Sequence, residues 1–280
     1  MTKTYKLSTI HHAVEIGTTL SGSWFRGHSR IVGELMPGIF QKGYDCPPFR
    51  SRHDIEFDLI TKFKLNAPSL EPNLPDYDDN VSWLFLMQHH GLPTRLLDWT
   101  ESILIALYFV AAENKSSDGE LWAMYPDTLN KRSGPFGRAI PKNRILRYLA
   151  SEPVCNNPEE LKEKLKLKEI PKYPLAIQPS MNFSRMVSQL SAFTIHPEPL
   201  PNCTIPDLLK DKESLVRYII PANNKGKLLK NLAALGITPK TLRPDLDSLS
   251  ATLKQEARIV GYRPPNPPPC DGEWDDEVES

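Results

Sequence analysis

Apolar residues recur at helical spacing in three parts of the first half of the chain. The segment 55–63 has its apolar residues on one helical face, and Asp54 can cap that helix. The run "VSWLFLMQHHG" (81–91) predicts a buried helix that ends at Gly91, because glycine readily adopts the left-handed conformation after a last helical turn. A third helix is predicted at "ESILIALYFVAAEN", with Thr100 as its cap.

Short apolar and β-branched runs between glycines and prolines predict strands. We expect strands at "SGSWFRGHS" (21–29), "TRLLDWT", "ELWAMY", "YPLAIQPS", "SAFTIHP" and "SLVRYIIP". A charged helix is predicted at "PEELKEKLKLKE", and two amphipathic helices, "KGKLLKNLAALG" and "DLDSLSATLKQEA", follow the last strand. Strands mixed irregularly with helices indicate an α+β fold. We predict one domain over residues 21–260, an N-terminal segment at 1–20, and a disordered, proline-rich acidic tail at 261–280.

Composition narrows the class of protein without indicating an activity. The chain has 34 basic and 34 acidic residues, so it has no net charge that would attract it to nucleic acid or to a membrane. It contains no apolar run of the roughly 18 residues that a membrane span needs, and Met1–Leu20 lacks the apolar segment of a signal peptide. The four cysteines are far apart and form no C-x-x-C pair. We therefore expect a cytoplasmic protein with reduced thiols.

The stretch "QHHGLPTRLLDWTES" (88–102) concentrates residue types that are common in functional sites. It is predicted to be fixed at both ends, by Gly91 and by Thr100, so it can position side chains accurately. Arg95 and Asp98 can either bind a ligand or form a salt bridge that locks the segment. The other histidines are scattered along the sequence, and we predict no metal site.

Four sequence blocks resemble the FRG-domain family, which is named for a motif of the type Phe25-Arg26-Gly27. The blocks are "WFRGHS", "HHGLPTRLLDWTESILIALYFVAAE", "SRMVSQLSAF" and "LGITPKTLRPDLDSL", and the resemblance extends from about Ser21 to about Glu256. The last block departs from the family pattern, with Arg243 in place of an aromatic residue and Ser248 in place of glycine.

The order of elements is also similar to that of the ADP-ribosyltransferase fold, a split β-sandwich that holds NAD in a cleft. This resemblance implies that NAD is the substrate and that cleavage of its nicotinamide–ribose bond passes through an oxocarbenium-like state. Such a site needs a cation for the pyrophosphate, a hydroxyl and an aromatic face for the ribose and nicotinamide, and an acceptor near the developing positive charge. The site residues implied are Gln189, His90 and Asp98 for catalysis, and Arg26, Gly27, Arg95, Thr100 and Phe193 for binding NAD.

Gln189 stands where transferases of this kind usually have glutamate, and an amide cannot act as a general base. The carboxylate then has to come from elsewhere, for example from Asp98, Glu101 or Glu113. The resulting hypothesis is an ADP-ribosyltransferase-like effector, such as a toxin or an antiviral defence component, with an unidentified macromolecular target and an antitoxin or defence partner. Two alternatives stay open. One is a non-catalytic module that senses nucleotides or binds a partner, and the other is a nuclease-like effector that uses His89, His90, Arg95 and Asp98.

Overall fold

A computed structural model describes residues 2–41, 51–134, 144–151, 158–167, 172–179, 184–197, 204–209 and 214–244, together with 246, 248–250, 253 and 257. The strands are β1 (Lys3–Lys6), β2 (Trp24–His28), β3 (Leu96–Thr100), β4 (Gly119–Met124), β5 (Leu175–Ile177), β6 (Ser191–Ile195) and β7 (Leu215–Ile220). The helices are α1 (Ile10–Thr19), α2 (Arg52–Asn66), α3 (Asn80–His89), α4 (Ile103–Ala112), α5 (Pro126–Ser133), α6 (Arg144–Ser151), α7 (Pro158–Lys164), α8 (Ser184–Ser188), α9 (Ile205–Leu208), α10 (Ala222–Ala234) and α11 (Pro239–Leu242).

The seven strands form one mixed sheet in the order β1-β7-β4-β2-β3-β6-β5. β1 runs parallel to β7, and all other neighbouring strands are antiparallel. The predicted α+β class is confirmed, and the six predicted strands are all present. The sequence pattern did not predict β1 and α1. Most of the predicted helix "DLDSLSATLKQEA" and the whole predicted tail lie outside the described residues.

Alternating side chains bury both faces of the sheet. On one face, α1, α4 and α10 pack over β2, β4 and β7, while α2, α3 and α6 pack over β3, β5 and β6. On the other face, α5 and α9 cover a cluster that includes Trp24, Trp99 and Trp122. No helix in the described ranges combines the length and the hydrophobicity that crossing a bilayer requires.

The hydrogen-bonded ladder between β2 and β3 is very short. The two strands pair only at Phe25 and Thr100, although β2 pairs with β4, and β3 with β6, over five residue pairs each. The carboxyl end of β2 and the amino end of β3 are therefore not joined by ladder hydrogen bonds. This break in the middle of the sheet lies between two of the sequence motifs that the resemblance singled out.

Helix α4 lies directly against β2 because two strand residues have no side chain. A Cβ atom built at Gly27 would overlap the backbone carbonyl of Ala106 and would come within 2.8 Å of Cγ2 of Val110. One built at Gly119 would come within 2.5 Å of Cγ1 of Val110. The resemblance implied that Gly27 lets the backbone approach a ligand. The structure gives this glycine a separate role, since it lets a helix approach the sheet.

Two predicted helix caps are wrong by a few residues. Ser51 caps α2, and Asp54 instead completes a capping box at the third helical position. Ser102 caps α4 by accepting a hydrogen bond from the Ile105 amide, whereas Thr100 is the last residue of β3. In both cases a second capping residue lay within three positions, and sequence alone did not decide between them.

Candidate functional site

A cavity of 1010 Å³ opens where the β2–β3 ladder stops. Its wall includes most of β2, all of β3, the second half of α4, and residues of α8 and α11. The charged residues that line it are four arginines, Arg26, Arg30, Arg185 and Arg243, and two acids, Asp98 and Glu113. Tyr108 and Phe109 of α4 provide aromatic surface. The excess of guanidinium groups favours an anionic ligand.

Arg26 is held at this cavity by its neighbours on both strands. Its Nε donates to Nε2 of His28 at 2.8 Å, and its Nη1 donates to the backbone oxygen of Asp98 at 2.7 Å. The side chain is only 19% exposed. Among the described residues, none of its hydrogen bonds uses Nη2. The guanidinium is thus fixed on one side and has donor capacity left on the other.

His28 is in turn held by a buried carboxylate on β4. Glu120 is fully buried, and its Oε1 lies 2.9 Å from Nδ1 of His28. Burial opposes ionisation of Glu120, but hydrogen bonds from His28 and from the Gly33 amide, with the charge of Arg217, outweigh it and lower the pKa to about 2. Burial lowers the pKa of His28 below its usual value. At neutral pH the pair is therefore a carboxylate and a neutral imidazole.

Asp98 lies on the rim of the cavity, and its carboxylate is 55% exposed. Its Oδ2 accepts a hydrogen bond from Nε2 of Gln88 at 2.7 Å and lies 3.8 Å from Nη1 of Arg26. Thr94 donates to Oε1 of Gln88 at 2.6 Å, which fixes the orientation of that amide. Gln88 and Arg26 therefore hold the carboxylate of Asp98 at the cavity.

The predicted salt bridge between Arg95 and Asp98 is wrong. Arg95 is fully buried, and its Nε donates to Oε2 of Glu56 at 2.6 Å, while its backbone amide donates to Oε1 at 2.7 Å. Its Nη1 donates to the carbonyl of Leu149 at 2.8 Å. Arg95 does not line the cavity, so it is a locking residue, and its partner is Glu56 on α2.

Thr100 and Gln189 both line the cavity, and a hydrogen bond connects them. The hydroxyl of Thr100 donates to the backbone oxygen of Gln189 at 2.7 Å and accepts from the Ser102 amide at 3.1 Å. Nε2 of Gln189 donates to the carbonyl of Leu242 at 3.0 Å. The donor hydrogen of the Thr100 hydroxyl is therefore already used within the protein. The bond from Gln189 to Leu242 links the residue after α8 to α11.

His90 and Phe193, both predicted in the site, do not line the cavity. His90 follows α3, is exposed, and lies with its ring centroid 6.2 Å from that of Phe63. Phe193 is 4% exposed in the core, and its ring centroid is 5.0 Å from that of Phe85. Successive residues of a helix are rotated by about 100°. Gln88 therefore faces the cavity and His90, two residues later, faces away.

Three residues of the site were missed by sequence reasoning. His28 follows Arg26 by two positions in a strand, a spacing that places both side chains on one face. Glu120 is a single acid in an otherwise apolar strand, which is a pattern expected for a buried, partnered carboxylate. Tyr108 had no distinguishing signal, because it lies in a helix that is apolar throughout. Of the acids considered in place of Gln189, Asp98 and Glu113 line the cavity, whereas Glu101 accepts from Gln178 at 3.3 Å.

The buried side chain of His196 predicts that the stability of the protein is sensitive to acid. Burial first, and then the charge of Arg26, lower the pKa of His196 to about 3. The unfolded chain therefore binds a proton below about pH 6.5 that the folded chain does not bind. Stability should fall as the pH drops from 6.5, by about 2–3 kcal/mol at pH 4.5. Urea titrations at both pH values should show that His196→Gln reduces this loss.

His12→Gln is the matched control for that experiment, because His12 is exposed on α1. It should leave the acid-induced loss of stability unchanged. Equal losses in the wild-type protein and in His196→Gln would show that His196 does not cause the effect.

Comparison with known proteins gives one match. The family model described as the FRG domain matches residues 21–119, which include Arg26, Asp98, Thr100 and the first residue of β4. No curated protein and no solved structure matches the chain significantly. Within the described residues, no three histidine, cysteine or acidic side chains come together as a group that could hold a metal ion.

Proposed function

We propose that the cavity of this FRG-domain protein, which matches the family over residues 21–119, binds NAD or a related nucleotide and that the protein transfers ADP-ribose. The observation that supports this proposal most strongly is Arg26. Its guanidinium is held by His28 and by the Asp98 carbonyl, and its Nη2 makes no hydrogen bond to the described residues. A guanidinium held in this way is suited to bind a pyrophosphate.

The rest of the cavity agrees with a dinucleotide ligand. Its volume of 1010 Å³ is at the upper end of ligand pockets. Tyr108 and Phe109 offer faces on which a base or a nicotinamide ring can pack, and the additional arginines compensate the charge of two phosphates. In this proposal the ligand lies at the break between β2 and β3, which pair at one position only.

In the proposed reaction the bond between C1′ of the ribose and the nicotinamide nitrogen breaks. The electron pair leaves with nicotinamide, which becomes neutral, and positive charge develops on the ribose. The carboxylate of Asp98 stabilises that charge. An oxygen or nitrogen nucleophile of the acceptor then attacks C1′ and releases its proton to water. Gln189 supplies no charge in this scheme, since its side chain is a neutral amide, and the amide nitrogen already donates to the carbonyl of Leu242.

Proposed biological roles follow from this chemistry. We propose that the protein acts in the cytoplasm as a toxin or an antiviral defence effector that modifies a protein, a nucleic acid or a small molecule, under control of an antitoxin or a defence partner. The nuclease alternative loses its support, because Arg95 is buried against Glu56 and His90 does not line the cavity. The non-catalytic alternative keeps a specific observation in its favour, which is the amide of Gln189 where an acid was expected.

Replacing Arg26 tests the proposed ligand. Arg26→Ala should weaken the binding of ADP-ribose by about 10- to 100-fold, because a charge-assisted hydrogen-bonding group of this kind contributes about 1.5–3 kcal/mol. Isothermal titration calorimetry with ADP-ribose measures this directly. Arg26→Lys should also bind weakly, since lysine retains the charge and loses the forked geometry. Arg147→Ala is the matched control, because Arg147 is exposed on α6 and does not line the cavity.

Asp98→Asn separates catalysis from binding in the same experiment. We expect ADP-ribose to bind Asp98→Asn nearly as well as wild type, and the consumption of labelled NAD in a cell lysate to be lost. Binding by the wild type without any consumption of NAD would favour the non-catalytic module. Failure of wild-type protein to bind ADP-ribose or NAD would refute the proposed function.

A further inference from the structure

We infer that Glu120 and His28 are positioning residues that set the guanidinium of Arg26 for a pyrophosphate and anchor the neighbouring cavity loop to the same carboxylate. The ligand in this inference rests on the proposed function. The relay itself, in which Glu120 holds His28 and His28 holds Arg26, does not rest on it. This relay is defined by hydrogen bonds within the protein. Neither residue is catalytic, since both act through Arg26.

The buried carboxylate of Glu120 determines which ring nitrogen of His28 bears the hydrogen. Oε1 of Glu120 accepts from the amides of Val32 and Gly33 at 3.1 and 3.0 Å and lies 2.9 Å from Nδ1 of His28. Oε2 accepts from Nε of Arg217 at 2.8 Å and forms an ion pair with its Nη2 at 2.6 Å. An ionised carboxylate can only accept. Nδ1 of His28 must therefore bear a hydrogen.

The other ring nitrogen of His28 has to be an acceptor. Nε of Arg26 lies 2.8 Å from Nε2 of His28, and a guanidinium can only donate. His28 is thus a neutral imidazole with its hydrogen on Nδ1. The bond occupies the Nε edge of Arg26, and the bond from Nη1 to the Asp98 carbonyl holds one end of the fork. Both hydrogens of Nη2 remain for a ligand.

The same carboxylate connects the arginine to the cavity wall. Val32 and Gly33 belong to the segment that follows β2, and Arg30 and Val32 line the cavity. A change at Glu120 would release this segment and His28 together. A substitution at His28 changes the contact with Arg26 and leaves the bonds from Val32 and Gly33 to Glu120 in place. His28 is therefore the better residue with which to test the positioning of Arg26.

Protonation of His28 should weaken the binding of anions. A hydrogen on Nε2 would face the donor Nε of Arg26, so the hydrogen bond that positions the guanidinium would be lost. The charged groups that face His28 are Arg26 on its own strand, Glu120 on β4 and Arg217 on β7. Affinity should therefore decrease toward acid pH, at values below the usual pKa of histidine because burial lowers the pKa of His28.

Two amide substitutions at His28 separate the two halves of the relay. His28→Gln can place an oxygen near the position of Nε2 and still accept from Arg26. His28→Asn reaches only the position of Nδ1 and keeps only the contact with Glu120. In calorimetric titrations with ADP-ribose at neutral pH, His28→Asn should bind roughly tenfold more weakly than His28→Gln. The decrease of affinity in acid, present in the wild type, should be absent in His28→Gln.

An experiment without ligand tests the relay independently. Nitrogen-15 NMR of histidine-labelled protein should show His28 as a neutral ring with its hydrogen on Nδ1. A hydrogen on Nε2, or equal affinities of the Asn and Gln variants for ADP-ribose, would overturn the positioning role. Absence of ADP-ribose binding in the wild type, together with the expected NMR signature, would refute the proposed function and leave the relay in place.

Discussion

Glu56→Gln should lower the free energy of unfolding by about 3–5 kcal/mol, because it removes the buried carboxylate that lies 2.6 Å from Nε of Arg95. Arg95 is fully buried and Glu56 is 2% exposed, so water cannot replace the lost partner. The carboxylate accepts from both the backbone amide and Nε of Arg95. This pair ties α2 to the first residues before β3, and its loss should loosen the cavity rim as well.

Chemical denaturation of three variants checks this prediction. The double variant Glu56→Leu with Arg95→Met should recover part of the loss, since two apolar side chains remove both buried charges. Asp98→Asn is the control and should change stability by less than about 1 kcal/mol, because its carboxylate is largely exposed. A small effect of Glu56→Gln would mean that water reaches Arg95, and that the pair does not lock the segment.

Gly27→Ala should destabilise the protein by at least about 3 kcal/mol, or prevent folding, because overpacking against a rigid backbone is among the costliest core changes. The added methyl group would overlap the carbonyl of Ala106 in α4, and a helix backbone cannot rotate away as a side chain can. If the protein folds, α4 must shift and displace Tyr108 and Phe109 in the cavity wall. Thermal denaturation followed by circular dichroism measures the loss.

Gly226→Ala is the matched control for Gly27→Ala. Gly226 lies in α10, and a Cβ there would meet no atom within 4 Å. Alanine should stabilise that helix by about 0.5–1 kcal/mol. If both variants shifted the melting temperature in the same direction, close helix packing would not be the reason for glycine at position 27.

The fold was largely predictable because its elements obey local rules. Strand β4 and helix α4 were recognised from turn residues and apolar runs, with errors only at the caps. β1 was not predicted because its four residues are all exposed and show no alternation of apolar and polar side chains. Its place in the sheet comes from pairing with β7, which no local pattern encodes.

The sequence predicted those site residues whose position depends on one strand or helix, and it did not predict contacts between elements. Arg26 and Asp98 lie in the middle of β2 and β3, Thr100 is the last residue of β3, and Gln189 follows α8; all four line the cavity. Phe193 was expected in the site together with Gln189, but the chain turns at Leu190, where φ is 46°, and then enters β6. The partner of Arg95 lies on another helix and was not visible from the segment itself.

Lys3 pairs with Val216, so the first strand of the chain joins the sheet beside the last one. During synthesis at 5–20 residues per second, β1 has to wait about 10–40 seconds for β7. Throughout that time α1 has no α10 to pack against, and the apolar side chains of Ala13 and Ile16 lack part of their final cover. The apolar face of α1 is therefore completed only after the last strand has been made.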